Sequence, residues 1–193
     1  MSIEYYNENA VRFYEDTHKL DMQDIYNKFL PYIPEKGKIL DAGCGSGRDI
    51  KAFSKLGYQV TAFDASIGMV LKAKSLSNRE VFHLDFKEIN WENEFDGIWA
   101  CASLLHVPEK NFQSVGTKLY NSLKINRPFY LSFKYGYRNY VKDNRFFQCH
   151  DEVSLDNSMK TIGTFSKHEF WLTTDIRPDR KQDKWLNAIY YKS

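Results

Sequence analysis

Three glycines, Gly43, Gly45 and Gly47, follow an apolar run that closes on Asp41 within the stretch Lys38–Gly47. Glycine permits positive φ and removes the Cβ that would hold a ligand off the backbone, and a helix starting after such a loop presents unpaired N–H groups to an anionic group. The chemistry this fits is binding of a small cofactor against main chain. Asp64 closes a second apolar run, Gln59–Phe63. A doubly wound α/β fold places there the carboxylate that accepts from ribose hydroxyls. Asp85, followed by Phe86, is a third acid after a third apolar run, Val81–Leu84. Each signal has a rival: a tight strand-to-helix turn for the glycines, and the start of a turn or a helix cap for Asp85.

The elements that must position these residues are read from apolar periodicity. Met22, Ile25, Tyr26, Phe29 and Leu30 share a helical face, stopped by Pro31 and Pro34, and a shorter amphipathic segment surrounds Ala10–Tyr14. After the glycine loop, Ile50, Phe53 and Leu56 mark a helix closed by Gly57, and Gln59–Phe63 is the next strand. Ser66 is placed to cap a helix that turns Met69, Val70 and Ala73 inward. Strands are then expected at Val81–Leu84, Phe95–Ala100 and Phe129–Phe133, with a helix through Phe112, Val115 and Leu119. Glu169–Thr173 and Trp185–Tyr191 form a closing hairpin, which would end the sheet antiparallel.

Composition fits one domain over residues 1–193: the chain is 42% hydrophobic, enough for one sizeable core but hardly two. A net charge of +2 from 27 basic and 25 acidic side chains makes nucleic acid or an anionic membrane an unpromising partner. The N-terminus lacks a basic segment followed by an apolar stretch, so the expected location is cytoplasmic. Cys44, Cys101 and Cys149 are odd in number and far apart, and read as reduced thiols. Consecutive Cys149, His150 and Asp151 make poor geometry for one metal, His18, His83 and His168 show no ligand spacing, and no metal is expected.

The G-x-G-x-G spacing after Asp41, with Asp64 and Asp85 at later strand ends, resembles the class I S-adenosylmethionine-dependent methyltransferases over most of the chain. The resemblance implies an α/β, Rossmann-like fold: a doubly wound seven-stranded sheet in the order 3-2-1-4-5-7-6, with the last strand antiparallel. It also implies S-adenosyl-L-methionine as methyl donor and S-adenosyl-L-homocysteine as product. By the same resemblance, the loop Gly43, Cys44, Gly45 would underlie the methionyl part and Asp41 would face its ammonium, directly or through water. Asp64 and the adjoining Ala65 would take the ribose; Asp85 and Phe86 would meet adenine, with Met69 packing against it or serving only as core. Backbone at Ala100, Cys101 and Ala102 would complete the cofactor site. Residues 1–30 would form a helical lid or cap.

The segment Phe95–Pro108 lacks the Asn-Pro-Pro-aromatic or Asp-Pro-Pro-aromatic tetrapeptide of base-amine methyltransferases, which disfavours that substrate. Together with Ser132–Gly136, Arg177–Arg180 and Trp185–Asn187 it is similar to small stand-alone bacterial methyltransferases. Arg48 resembles the tellurite-resistance and thiopurine-type group. A Pro-Gly-Gly turn usual before strand five is replaced by Asn126, Arg127 and Pro128, where asparagine supplies positive φ in place of glycine.

The expected reaction is methyl transfer to a small molecule. Positioning and water exclusion supply most of the rate, so a base is optional. Candidate catalytic residues are His106, Lys134 and Tyr135. Tyr6, Tyr14, Ser103, Arg145 and Arg177 are candidates for the acceptor pocket, the aromatic ones as part of the lid. Packing is the rival for His106 and for Phe13, and surface solvation for the charged groups. The other function classes are an RNA or protein methyltransferase, which needs a basic or extended groove, and a non-catalytic cofactor-binding module. A monomer or weak homodimer is expected.

Overall fold

The computed structural model describes residues 2–177 and 180–193; Pro178 and Asp179, within the Arg177–Arg180 stretch, lie outside the described residues. The chain opens with three short helices, α1 (Ser2–Glu8), α2 (Ala10–Thr17) and α3 (Gln23–Phe29), the last running into a 3-10 turn at Leu30–Tyr32 that carries Pro31. Alternation follows: β1 (Lys38–Ala42), α4 (Arg48–Lys55), β2 (Gln59–Asp64), α5 (Ile67–Ser77), β3 (Phe82–His83), β4 (Gly97–Ala100), α6 (Glu109–Ser122) and β5 (Pro128–Tyr135). Beyond β5 come a small hairpin, β6 (Tyr140–Lys142) and β7 (Arg145–Phe147), then β8 (Cys149–His150), α7 (Glu152–Lys160), β9 (Phe165–Thr174) and β10 (Lys184–Lys192).

The main sheet runs β3-β2-β1-β4-β5-β10-β9, with β10 antiparallel to both neighbours, which is the expected seven-strand order. An eighth strand was not expected. Two-residue β8 pairs with β5 at Lys134 and Tyr135, past the point where β4 stops pairing at Leu131. The outer strand β3 is also shorter than the expected Val81–Leu84, and Phe95 makes only an isolated bridge to Leu123.

Central strands are buried on both faces, which is why β1 and β4 read as unbroken apolar runs and not as alternation. Period two still sorts the faces. Leu40, Ile98, Phe129 and Leu131 join Phe112, Val115 and Leu119 of α6 on one side. Ile39, Trp99 and Tyr130 join Tyr26 and Phe29 of α3 and Phe53 of α4 on the other. Ser66 caps α5 by accepting from Met69 N, as its position suggested. Asn126 has φ +58°, the left-handed turn that asparagine tolerates in place of glycine. No described helix is long and apolar enough to cross a membrane.

Candidate functional site

The carboxyl ends of β1, β2, β4 and β5 open onto a cleft of about 610 Å³, roofed by residues of α1 and α2, and within the range of about 300–1,000 Å³ usual for small-molecule sites. The β1–α4 loop forms its floor and is tied to β2 by Gly43 N and Cys44 N, which both donate to the Phe63 carbonyl at 3.0 Å. The three glycines serve different ends. A Cβ on Gly43 would sit 2.6 Å from the Ser103 Cβ, and one on Gly47 2.7 Å from the Ala73 Cα, so these two permit close packing of the chain. Gly45, at φ +52°, faces the cleft, and its absent Cβ would meet only the Phe13 ring at 3.4 Å. Gly45→Val is therefore expected to fill ligand space and to weaken cofactor binding by tenfold or more. Calorimetry with S-adenosylhomocysteine, alongside a denaturant melt, checks this; normal affinity in the folded variant would reduce the loop to a turn.

Three acids stand at successive strand ends but in different states. Asp64 lines the cleft, its Oδ2 accepting from Gly45 N and its Oδ1 from Ser66 N, both at 2.9 Å. Burial raises its pKa against those two bonds. Asp41 is 1% exposed and lies behind the cleft wall, with Oδ2 bonded to nothing among the described residues. Burial, then the charge of Asp49, pushes its carboxyl well above the usual range. A cation in the cleft would reverse that shift. Asp85 lines the cleft while closing a capping box on the 3-10 turn Phe86–Glu88, accepting from Lys87 N at 2.9 Å as Glu88 accepts from Asp85 N at 2.8 Å. Its capping alternative is thus realised in the geometry. Cys44, Ala65, Met69, Phe86, Cys101 and Ala102 all border the cleft, whereas Ala100 is buried in the core behind it. Ala102 is held at φ +51°, a conformation costing a non-glycine residue roughly 1–2 kcal/mol, with its N–H donated to Ser132 Oγ at 2.8 Å.

His106, Tyr6 and Arg145 meet at the other end. His106 Nδ1 lies 2.7 Å from the Phe146 carbonyl, which can only accept, so Nδ1 carries the proton and Nε2 accepts from the Tyr6 hydroxyl at 2.7 Å. Burial, aided by Arg145, pushes its pKa down to about 4. The ring is therefore neutral near pH 7, and a weak base. Ser103 donates to the Ala42 carbonyl at 2.6 Å, fastening the chain after β4 to β1. Phe13 reaches the cleft in edge contact with Tyr6, their centroids 5.0 Å apart.

Several expected site residues are placed otherwise. Lys134 lines the cleft but is paired with Asp183 at 2.7 Å and Asp175 at 3.4 Å, and lies 4.0 Å over the Trp185 ring. Arg177 lines it too, with its guanidinium on Asp175. Tyr135 falls outside, because it follows Lys134 on a strand whose side chains alternate, and it borders a separate small pocket. Tyr14 is also outside. Ala10, Phe13 and Thr17 form the inner stripe of α2, and Tyr14 is rotated away to stack on His18 at 4.3 Å.

A buried network was not anticipated. Asp49, 4% exposed at the start of α4, accepts from Arg48 Nε at 2.7 Å, Arg48 Nη2 at 2.9 Å, Trp99 Nε1 at 2.9 Å and the Tyr26 hydroxyl. Arg48 also reaches Cys101 Sγ at 3.8 Å. Its signal lay in spacing: Asp49 is one helical turn before buried Phe53, on the inward face. Among the described residues no group of three His, Cys, Asp or Glu could hold a metal.

The strand order is that of the Rossmann-like methyltransferase fold. Residues 39–126 match the model of a family described as a methyltransferase domain. Over 68 residues the chain is 41% identical to malonyl-[acyl-carrier protein] O-methyltransferase of Buchnera aphidicola subsp. Baizongia pistaciae, covering 34% of this chain and 28% of that protein. The match thus spans less than a third of that relative's length. Burkholderia thailandensis 1,6-didemethyltoxoflavin-N1-methyltransferase, solved with 1,6-didemethyltoxoflavin and S-adenosylhomocysteine, is similar with a TM-score of 0.75 at 17% identity, over 100% of this chain and 86% of that one. Haemonchus contortus phosphoethanolamine N-methyltransferase 2, solved with S-adenosyl-L-methionine, gives 0.73 at 15% identity, over 98% of this chain and 58% of that one. Both solved structures are similar in fold.

Proposed function

We propose that this protein transfers a methyl group from S-adenosyl-L-methionine to a small molecule held in the cleft. The observation that carries the reading is the state of Asp41: a fully buried acid with an unbonded oxygen, immediately behind a loop whose Gly45 leaves open space. An orphaned buried acceptor costs about 1–3 kcal/mol or more, and a cofactor ammonium would relieve that cost directly or through water. Asp64 is positioned for two ribose hydroxyls, Asp85 and Phe86 for adenine, with Met69 as a wall. Bound there, the cofactor supplies an electrophilic methyl group, and the chain's part is to position and to keep water out.

In this reading the Tyr6–His106 pair orients the acceptor, and residues 1–30 act as the lid of one methyltransferase domain. Lys134 and Arg177 shape the far wall through their ion pairs. Arg48 is spent on Asp49, so its likeness to the tellurite-resistance and thiopurine-type group does not assign an acceptor. The relatives' small-molecule substrates support a small acceptor here. The decisive measurement is calorimetry with S-adenosylmethionine, S-adenosylhomocysteine and NAD, followed by methyl release against a metabolite library. The first two are expected to bind and NAD to be refused; binding of NAD alone would sink the proposal.

A further inference from the structure

The cations around the cleft are not equivalent. Of those lining it, Arg48 pairs with buried Asp49, Lys134 and Arg177 share buried Asp175, with Lys134 also on half-exposed Asp183, while Lys87 is exposed to solvent and Arg180 is part-buried. Arg145 differs. It is 5% exposed, stacked 4.0 Å from the Tyr5 ring and 5.1 Å from Phe147, and its Nε has no partner among the described residues. Among the described residues its one ion pair, 3.2 Å from Nη2, is to Asp143, whose side chain is 55% exposed at the tip of the β6–β7 hairpin. A water-screened counter-ion offsets a buried charge poorly. Beside Arg145 stand the Tyr6 hydroxyl and the neutral His106 ring, neither of which brings a negative charge.

We infer that the acceptor end of the cleft takes a small monocarboxylate with an apolar body, its carboxylate received by the Arg145 guanidinium next to the Tyr6 hydroxyl. A planar guanidinium edge matches a planar carboxylate, and a buried cation whose counter-ion is water-screened gains from one further negative charge. A phosphate dianion would leave a charge unpaired among apolar walls, and an amine would meet a like charge. Those walls are Phe13, Leu105, Val107 and Phe147, which suit an aromatic or branched body. As a statement of which acceptor is methylated the inference rests on the proposed methyl transfer, but the binding preference stands apart from it.

The test titrates benzoate and phenylacetate, each against its amide and against phenyl phosphate, into protein loaded with S-adenosylhomocysteine, read by saturation-transfer NMR and calorimetry. The carboxylates are expected to bind about tenfold or more tighter than the amides, which lack the charge-assisted bonds. Arg145→Met, which keeps an apolar stem but loses the guanidinium stacked on Tyr5, should erase that preference, Arg145→Lys should keep part of it, and S-adenosylhomocysteine affinity should stay within about twofold in both. No preference for carboxylate over amide, whether both bind or neither does, overturns the inference, as does a preference for phenyl phosphate or an unchanged preference in Arg145→Met. If that variant does not fold, the wild-type comparison and Arg145→Lys decide. Failure of S-adenosylhomocysteine to bind would strike the methyltransferase reading instead, and the same titrations on unloaded protein still decide the role of Arg145.

Discussion

Asp64→Ala is expected to weaken S-adenosylhomocysteine binding by ten- to a hundredfold or more. A carboxylate accepting from ribose hydroxyls makes charge-assisted bonds worth about 1.5–3 kcal/mol each, and one such loss already moves the dissociation constant by that factor. The same side chain receives Gly45 N–H and Ser66 N–H, so its removal also frees the glycine loop from the start of α5. Asp64→Asn separates the two contributions, since an amide oxygen still accepts one of those bonds without the charge. Calorimetry on both variants, with circular dichroism to establish folding, gives the answer. Affinity unchanged in folded Asp64→Ala would remove Asp64 from the cofactor site.

Asp49→Ala is expected to cost about 3–5 kcal/mol of folding stability, because it strands the Arg48 guanidinium and leaves the Tyr26 hydroxyl and the Trp99 indole N–H without an acceptor. Urea melts of the single variant and of Asp49→Ala combined with Arg48→Met measure the effect, and the double variant should recover part of the loss. A single variant within about 1 kcal/mol of wild type would show that the network is incidental. Acid has the same target. Burial alone would raise Asp49, but Arg48 and the Tyr26 and Trp99 bonds outweigh it and hold the carboxyl low; burial of Asp175 is likewise outweighed by Arg177. Depressed folded-state values mean that this stability is present above the unfolded carboxylate value, about pH 4, and is lost as pH falls below it toward the folded-state values.

How much of this was legible in the sequence depended on whether a residue's surroundings lay close by in the chain. The glycine loop, Asp41, Asp64 and Ser66 sit at the ends of strands and a helix whose apolar runs are continuous or periodic, so sequence order alone brought them together. The hairpin β6–β7, strand β8 and helix α7 went unread because each is short: the strands are two or three residues long, too few to show alternation, and α7 turns only Leu155 and Met159 inward. Lys134 and Tyr135 read as catalytic candidates and Arg145 and Arg177 as acceptor-pocket candidates from residue type and order in the chain alone. Lys134 takes partners far along the chain, Asp175 and Asp183, whereas Arg145 and Arg177 pair with Asp143 and Asp175 only two positions away, local pairs that were open to sequence reading and were not read. Asp49 was missed for a different reason. An Arg-Asp pair opening a helix looks like solvated charge unless its neighbours are already known to face inward.

Helix α1 has no buried residue. It is fastened by side chains alone: Asn7 Oδ1 receives the Ser66 hydroxyl at 2.7 Å and Gly68 N at 3.2 Å, Tyr6 bonds His106, and Ser2 Oγ accepts from Phe146 N at 3.3 Å. An element held this way detaches at far lower free energy than any strand of the sheet. If residues 1–30 act as the proposed lid, exchange of spent for fresh cofactor would begin with that helix swinging clear, and the maximal turnover rate would follow its opening frequency more closely than the speed of the bond-making step.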